Sequence, residues 1–334
     1  MTDTVGGSVV PVGGRSGAVT VLRYAAFPDT GPGVVGESAG NPPGVVLDAG
    51  DLTDTDRLSI AAQVDYSETA FVEPLGERRH RLRFFSPQAA VAFCGHATIA
   101  TAVVLAERDG PGEMRFETLA GEIAVTTEEG ERGLEATLTS VPTRTRAMRT
   151  EELDEILPTL GWHRRDLDER YPPHVAYAGN DHPILVTHDA GALAGLTYDF
   201  ASLAALMRTR GWTTVHVAHA ESPTRFRARG LFPPGGVVED PATGSAAAAF
   251  GGYLRRLGLA TAPVTVTVLQ GHDMGRPSRI DVDLLPDDDR VRVRGTAVPV
   301  AAGTERPAER PAPAPPVVRE LPSQATSSRL RAVR

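Results

Sequence analysis

The sequence predicts an α+β protein built from two pseudo-symmetric halves. Three observations carry this: strand-like and helix-like segments alternate along the body, two glycine-started apolar helices follow similar Phe-and-Pro turns, and the halves keep a constant offset. Arg83-Phe84-Phe85-Ser86-Pro87 answers Gly230-Leu231-Phe232-Pro233-Pro234, Gly95 answers Gly244, and Gly121 answers Gly271. The two glycine pairs share one offset to within a single residue, as a duplication requires. Such a protein commonly places its ligand in the cleft between the halves.

In chain order, 19–27 and 44–47 read as strands. Residues 52–64 have helical spacing, with Leu58, Ala61 and Ala62 on one face and Thr and Asp at the start. Residues 81–85 form a strand, 97–108 a helix closed by Gly110, and 115–117 and 122–127 strands about a turn at Gly121. Residues 151–160 and 200–210 read as helices, the latter ended by Gly211, and 213–218 and 265–269 as strands. The expected division is a flexible tail over 1–17, an N-terminal half over 18–141 and a C-terminal half over 142–301, with a last strand able to return to the first half. A disordered Pro/Arg-rich tail over 302–334 follows.

The 334 residues suffice for two cores, and 41% apolar with 23% charged residues fits a soluble protein. A net charge of −8 disfavours nucleic-acid binding. No apolar run approaches the ~20 residues of a membrane span. The start reads as a tail rather than a signal peptide, so the expected location is cytoplasmic. The single cysteine, Cys94, excludes an internal disulfide and a cysteine-based zinc cluster. His216 and His219 lie close in sequence without an accompanying carboxylate motif, so no metal is expected. The chain has no lysine; every basic residue besides histidine is Arg, which removes Schiff-base chemistry, pyridoxal phosphate included, and a P-loop.

The chemistry concentrates at the paired helix starts, Cys94-Gly95-His96-Ala97-Thr98 and Asp240-Pro241-Ala242-Thr243-Gly244-Ser245-Ala246. A helix start presents free N–H groups and a positive dipole end, so two of them suggest a small acid held from both sides. His96 reads either as a proton-shuttling group or as a surface or capping histidine, and Asp240 either as a site carboxylate or as a turn residue before proline. Glu68, in Ser67-Glu68-Thr69-Ala70-Phe71-Val72, follows a helix and precedes a strand; there it is either a routine surface residue or a half-buried proton carrier. Cys94 adjoins a helix start, which invites a two-thiol racemase, but the second start offers no thiol; a packed cysteine is the simpler reading.

These segments, with Gly40-Asn41-Pro42, Gly179-Asn180 and Gln270-Gly271 in the same order, resemble the PhzF-like (phenazine biosynthesis) isomerase family over roughly residues 20 to 300. The resemblance implies the diaminopimelate epimerase-like fold: two halves, each a curled mixed sheet or barrel around a central helix, with the site between. It implies Glu68 as general acid/base and His96 and Asp240 in the same cleft. The substrate carboxylate would be held by backbone groups of Gly95, Gly244 and Ser245, with Asn41 also in the substrate site. It further implies no cofactor, no metal and a homodimer, and a reaction like that of trans-2,3-dihydro-3-hydroxyanthranilate isomerase in secondary metabolism. Two departures stand out: Ala90 replaces an acidic residue frequent after the turn, and Ser86 replaces threonine. The alternative is a non-catalytic small-acid-binding or regulatory protein on the same scaffold.

Overall fold

The structure, a computed structural model, describes residues 7–11, 18–31 and 39–300. The first half runs β1 (Gly7–Pro11), β2 (Ala18–Ala26), β3 (Gly44–Val46), α1 (Asp54–Val64), β4 (Thr69–Gly76), β5 (Arg79–Phe85), β6 (Ala90–Val91), α2 (Gly95–Asp109), β7 (Gly112–Thr118), β8 (Gly121–Gly130) and β9 (Gly133–Thr139). The second runs β10 (Arg144–Ala147), α3 (Thr150–Thr159), β11 (His174–Tyr177), β12 (Asp181–Thr187), α4 (Ala190–Ala194), α5 (Phe200–Arg210), β13 (Val215–Ser222), β14 (Arg225–Leu231), β15 (Glu239–Asp240), α6 (Gly244–Arg256), β16 (Val264–Gln270), β17 (Ser278–Leu284) and β18 (Val291–Pro299).

The pairings repeat. β2–β3, β4–β5, β5–β6, β7–β8 and β8–β9 are antiparallel, while β3–β4 and β5–β7 are parallel. The second half returns the same signs in β11–β12, β13–β14, β14–β15, β16–β17 and β17–β18, with β12–β13 and β14–β16 parallel. β18 joins the halves: Val291–Arg294 pair with β17, Arg292–Thr296 with β9, and Ala297–Pro299 with β2. The first sheet thereby closes into a barrel of eight strands around α2.

Each central helix is apolar enough to demand enclosure. α2 is buried continuously from His96 to Ala106, and a helix buried on every side must sit inside its sheet. α6 achieves close contact with small residues: a Cβ at Gly251 would come within 2.6 Å of Val282, and one at Gly252 within 2.3 Å of Thr143. α1 lies outside the barrel, opened by a capping box between Thr53 and Asp56.

Two expectations change. Residues 7–11, read as part of a flexible tail, form β1 against β2, because the valine run buries Val10; the rest of 1–17 and all of 302–334 lie outside the described residues. The turn equivalence also shifts by one. Phe84 pairs with Val91 and Gly230 with Asp240, so Phe84 matches Gly230 and Pro87 matches Pro233. Ladder register, not the shared Phe and Pro, decides this. Ser86 still builds its turn, accepting from the N–H groups of Gln88 and Ala89. Among the described residues no helix is long and apolar enough to cross a membrane.

Candidate active site

A cleft of about 750 Å³ lies between the halves, and Asn41, Glu68, Gly95, His96, Asp240, Gly244 and Ser245 all line it. From the first half, α2 delivers His96 in its first turn, and the α1–β4 junction delivers Glu68. From the second, β15 delivers Asp240 just ahead of α6.

His96 is 7% exposed and is the meeting point of the first-half groups. Its Nε2 stands 3.5 Å from Glu68 Oε2 and 3.5 Å from Ser67 Oγ, and its Nδ1 3.3 Å from Cys94 Sγ. Burial pushes the Cys94 thiol well above its ordinary range, and the Glu68 charge adds to this. A thiol so held is protonated, as expected of a packed cysteine rather than a racemase base.

Asp240 is fixed from three directions. Asn41 Nδ2 donates to its Oδ1 at 2.7 Å, Thr243 Oγ1 donates to its Oδ2 at 2.6 Å, and Gln270 Nε2 donates to its backbone carbonyl at 2.7 Å. Burial is the main cause that raises its pKa to about 6; the charge of His96 and the hydrogen bond from Thr243 oppose it, and the charge of Glu68 reinforces it. Gln270 is wholly buried and enters the space left by Gly230, where a Cβ would lie 2.4 Å from Gln270 Nε2. Thr243, Ser67 and the amide of Gln270 carry contacts that reading the motifs does not supply. Asn41, expected on the substrate, directs its amide to Asp240 and the Ala242 carbonyl.

The helix starts facing the cleft lack a side-chain cap. The N-caps of α1, α4 and α5 (Thr53, Asp189 and Asp199) accept from their own helix starts, whereas Cys94 of α2 and Thr243 of α6 make no such bond; Arg149 of α3 makes none either, but there Glu152 accepts from the Arg149 N–H at 2.9 Å. A Cβ at Gly95 or Gly244 would meet no atom closer than 3.8 Å, so neither packing nor a left-handed φ requires these glycines. Gly271 differs: at φ +74 its Cβ would strike the Arg276 and Pro241 carbonyls.

The family model described as phenazine biosynthesis-like protein, PhzC-PhzF, matches residues 36–303. The chain belongs to this family. It is 36% identical over 266 residues to an uncharacterized isomerase of Deinococcus radiodurans, covering 78% of this chain and 84% of that protein. It is 30% identical over 269 residues to the trans-2,3-dihydro-3-hydroxyanthranilate isomerase of Pseudomonas chlororaphis, covering 79% and 93% respectively. A PhzF-family structure from Bacillus anthracis superposes with a TM-score of 0.74 at 24% identity, over 84% of this chain and 96% of that one. A probable proline racemase of Agrobacterium radiobacter K84 shares the fold, with a TM-score of 0.58 at 14% identity, over 84% and 91%. The protein is therefore a PhzF-like isomerase with the epimerase-type fold expected from its sequence.

Proposed function

We propose that this isomerase moves a proton within a small carboxylate-bearing substrate, without cofactor or metal, using Glu68 as its base. The carrying observation is the asymmetry of the cleft. By the strand registers and the aligned starts of α2 and α6, Glu68 corresponds to Thr214, Cys94 to Thr243 and His96 to Ser245. A two-base racemase needs proton carriers at matching positions on opposite faces. Here the mates of Glu68 and Cys94 are hydroxyls, poor bases at neutral pH. One face carries the base, which suits removal of a proton and its return elsewhere on that face.

In this reading the uncapped starts of α2 and α6, through Gly95 and through Gly244 and Ser245, hold the substrate carboxylate, and the missing Cβ atoms let it approach the backbone. His96 assists Glu68 as a proton relay. Asp240, with its pKa near 6, orients an amino or hydroxyl group. The named activity of the Pseudomonas relatives supports a cyclic amino or hydroxy acid and a role in secondary metabolism. A cytoplasmic homodimer completes the proposal, with mass measurement in solution as its check. The naming of curated relatives as isomerases favours this reading over a purely binding protein.

The test is substrate-dependent deuterium incorporation from D₂O, screened over small carboxylic acids that stabilise the protein thermally. Glu68→Gln should bind the same acid and lose exchange by about 10²–10⁴-fold. Undiminished exchange would remove Glu68 from the mechanism.

A further inference from the structure

We infer that Gln270 is a positioning residue: acting through the Thr243 hydroxyl, it holds Asp240 as a hydrogen-bond acceptor, so that the substrate group meeting Asp240 must be a donor. Gln270 ends β16, is wholly buried, and bonds to Asp240 and Thr243, which line the cleft. Its amide meets two backbone groups whose roles cannot change. The Thr243 N–H donates to Oε1 at 3.3 Å, and Nε2 donates to the Asp240 carbonyl at 2.7 Å. Turning the amide over would set NH₂ against N–H and oxygen against oxygen, so its orientation is fixed.

Nε2 directs its second proton to Thr243 Oγ1, at 3.1 Å. The hydroxyl therefore accepts from Gln270 and gives its single proton to Asp240 Oδ2, at 2.6 Å. Asn41 serves the other oxygen in the same way. Its Nδ2 donates to the Ala242 carbonyl at 3.3 Å, which can only accept, and to Asp240 Oδ1 at 2.7 Å. Both carboxylate oxygens thus receive donors whose polarity the backbone sets. Space is reserved for the Gln270 amide: a Cβ at Gly230 would stand 2.4 Å from its Nε2 and 3.0 Å from Thr243 Oγ1. In the first half the ladder position of Asp240 is held by Val91, so this wiring serves one face of the cleft. The titratable groups facing Asp240 are His96 of α2, Glu68 of the α1–β4 junction and the Cys94 thiol. Arg276 lines the same cleft, and Glu239, next in the chain, is paired with Arg229.

The consequence for the substrate rests on the proposed role of Asp240; the wiring does not, and it is measured without substrate. The full-length protein is labelled with carbon-13 in aspartate carboxyls and nitrogen-15 in glutamine amides, and Asp240→Asn assigns the Asp240 signal. That signal should titrate with a midpoint of about 6, and the Gln270 amide signal should follow it. In Thr243→Val, which keeps the shape and removes the hydroxyl, the midpoint should rise by about one pH unit and the Gln270 signal lose most of its response. Thr243→Ser should restore both. Gln270→Met removes the donor without touching either carboxylate oxygen and should give part of the same rise, whereas a merely structural role would lower stability and leave the midpoint in place. An unchanged midpoint in Thr243→Val, or in a folded Gln270→Met, overturns the inference. If Gln270→Met does not fold, a Gln270 signal that responds equally in wild type and Thr243→Val overturns it. Calorimetry with anthranilate and benzoate, which differ by one amino group, then reads the consequence: wild type should favour anthranilate. Should the midpoints move as expected while anthranilate gains nothing over benzoate, the wiring stands and the proposed contact of Asp240 with the substrate fails.

Discussion

The two halves share a frame but differ where it matters for charge. In the second half Arg229 and Glu239 form a buried pair. Arg229 Nε donates to Glu239 at 3.1 Å, and its Nη1 donates to the Leu193 and Leu196 carbonyls at 2.9 and 2.8 Å. Glu239 pairs with Leu231 and is followed by Asp240, so this anchor also holds the site carboxylate in register. In the first half the same ladder positions hold Arg83 and Ala90. Arg83 reaches only the exposed Asp54, at 3.3 Å, and its Nε is buried with no hydrogen-bond partner among the described residues. Ala90 thus leaves the first half without the carboxylate that anchors its symmetry mate's arginine in the second. The lesson is that duplication supplies the scaffold twice, and each half then keeps only the polar contacts its own site residues need.

The sharpest way to break this comparison is to remove one carboxylate. Glu239→Gln strands the Arg229 charge in the interior and should cost about 3–5 kcal/mol by urea unfolding. Arg83→Ala, its mate, should stay within about 1 kcal/mol of wild type. Equal losses would show that burial does not separate the two anchors.

The halves also differ in their cores. His182 and His216, both wholly buried, occupy positions matched by Pro43 and Ala70 in the first half. Burial lowers their pKa values from 6.5 to about 4 and about 3. The folded state therefore binds fewer protons than the unfolded chain once the pH falls below about 6.5. Stability should decline at up to about 1.4 kcal/mol per pH unit for each histidine, with the loss ending only near the folded values. Hydrogen exchange at pH 5 should quicken in β12 and β13 before β3 and β4; the reverse order would refute the assignment.

Asp240 offers a smaller and opposite effect. Its folded pKa is raised from 3.8 to about 6, so its contribution is present below pH 3.8 and lost as the pH rises through about 6. Asp240→Asn should be more stable than wild type at pH 7.5, by about 1–2 kcal/mol, while activity falls. A destabilised variant would mean that the bonds from Asn41 and Thr243 outweigh the cost of burying the charge. Smallest of all, Ala90→Glu should restore a partner for Arg83 and gain no more than about 1 kcal/mol, read as a modest rise in Tm. A large change in substrate preference on this substitution would instead place Ala90 in the specificity of the cleft.

Much of the fold was legible because its signals are local. The helix at Gly95–Asp109 announces itself by a continuous apolar run closed by Gly110, which adopts φ 84. The helix at Phe200–Arg210 ends at a left-handed Gly211. Strands such as β9, β11 and β12 carry no local signal that sets them apart; their identity comes from the neighbours they pair with. The candidate site divides in the same way. Glu68, His96 and Asp240 stand out as ionisable groups at element junctions, but the partners that orient Asp240 do not. Asn41 lies 199 residues from it in the chain and Gln270 lies 30, and no local period connects them.

The sequence by itself determined the duplication, the paired glycine-started helices and the residue types brought to them. Caps, apolar periodicity and a repeated offset act over a few residues and are written in order along the chain. Only the tertiary structure decided which atoms face one another: the one-residue shift of the turn register, the anchor present at Glu239 and absent at Ala90, and the cluster of Glu68, Cys94 and His96. Those are contacts between segments distant in sequence, set by strand pairing and by the packing of the two sheets around their helices.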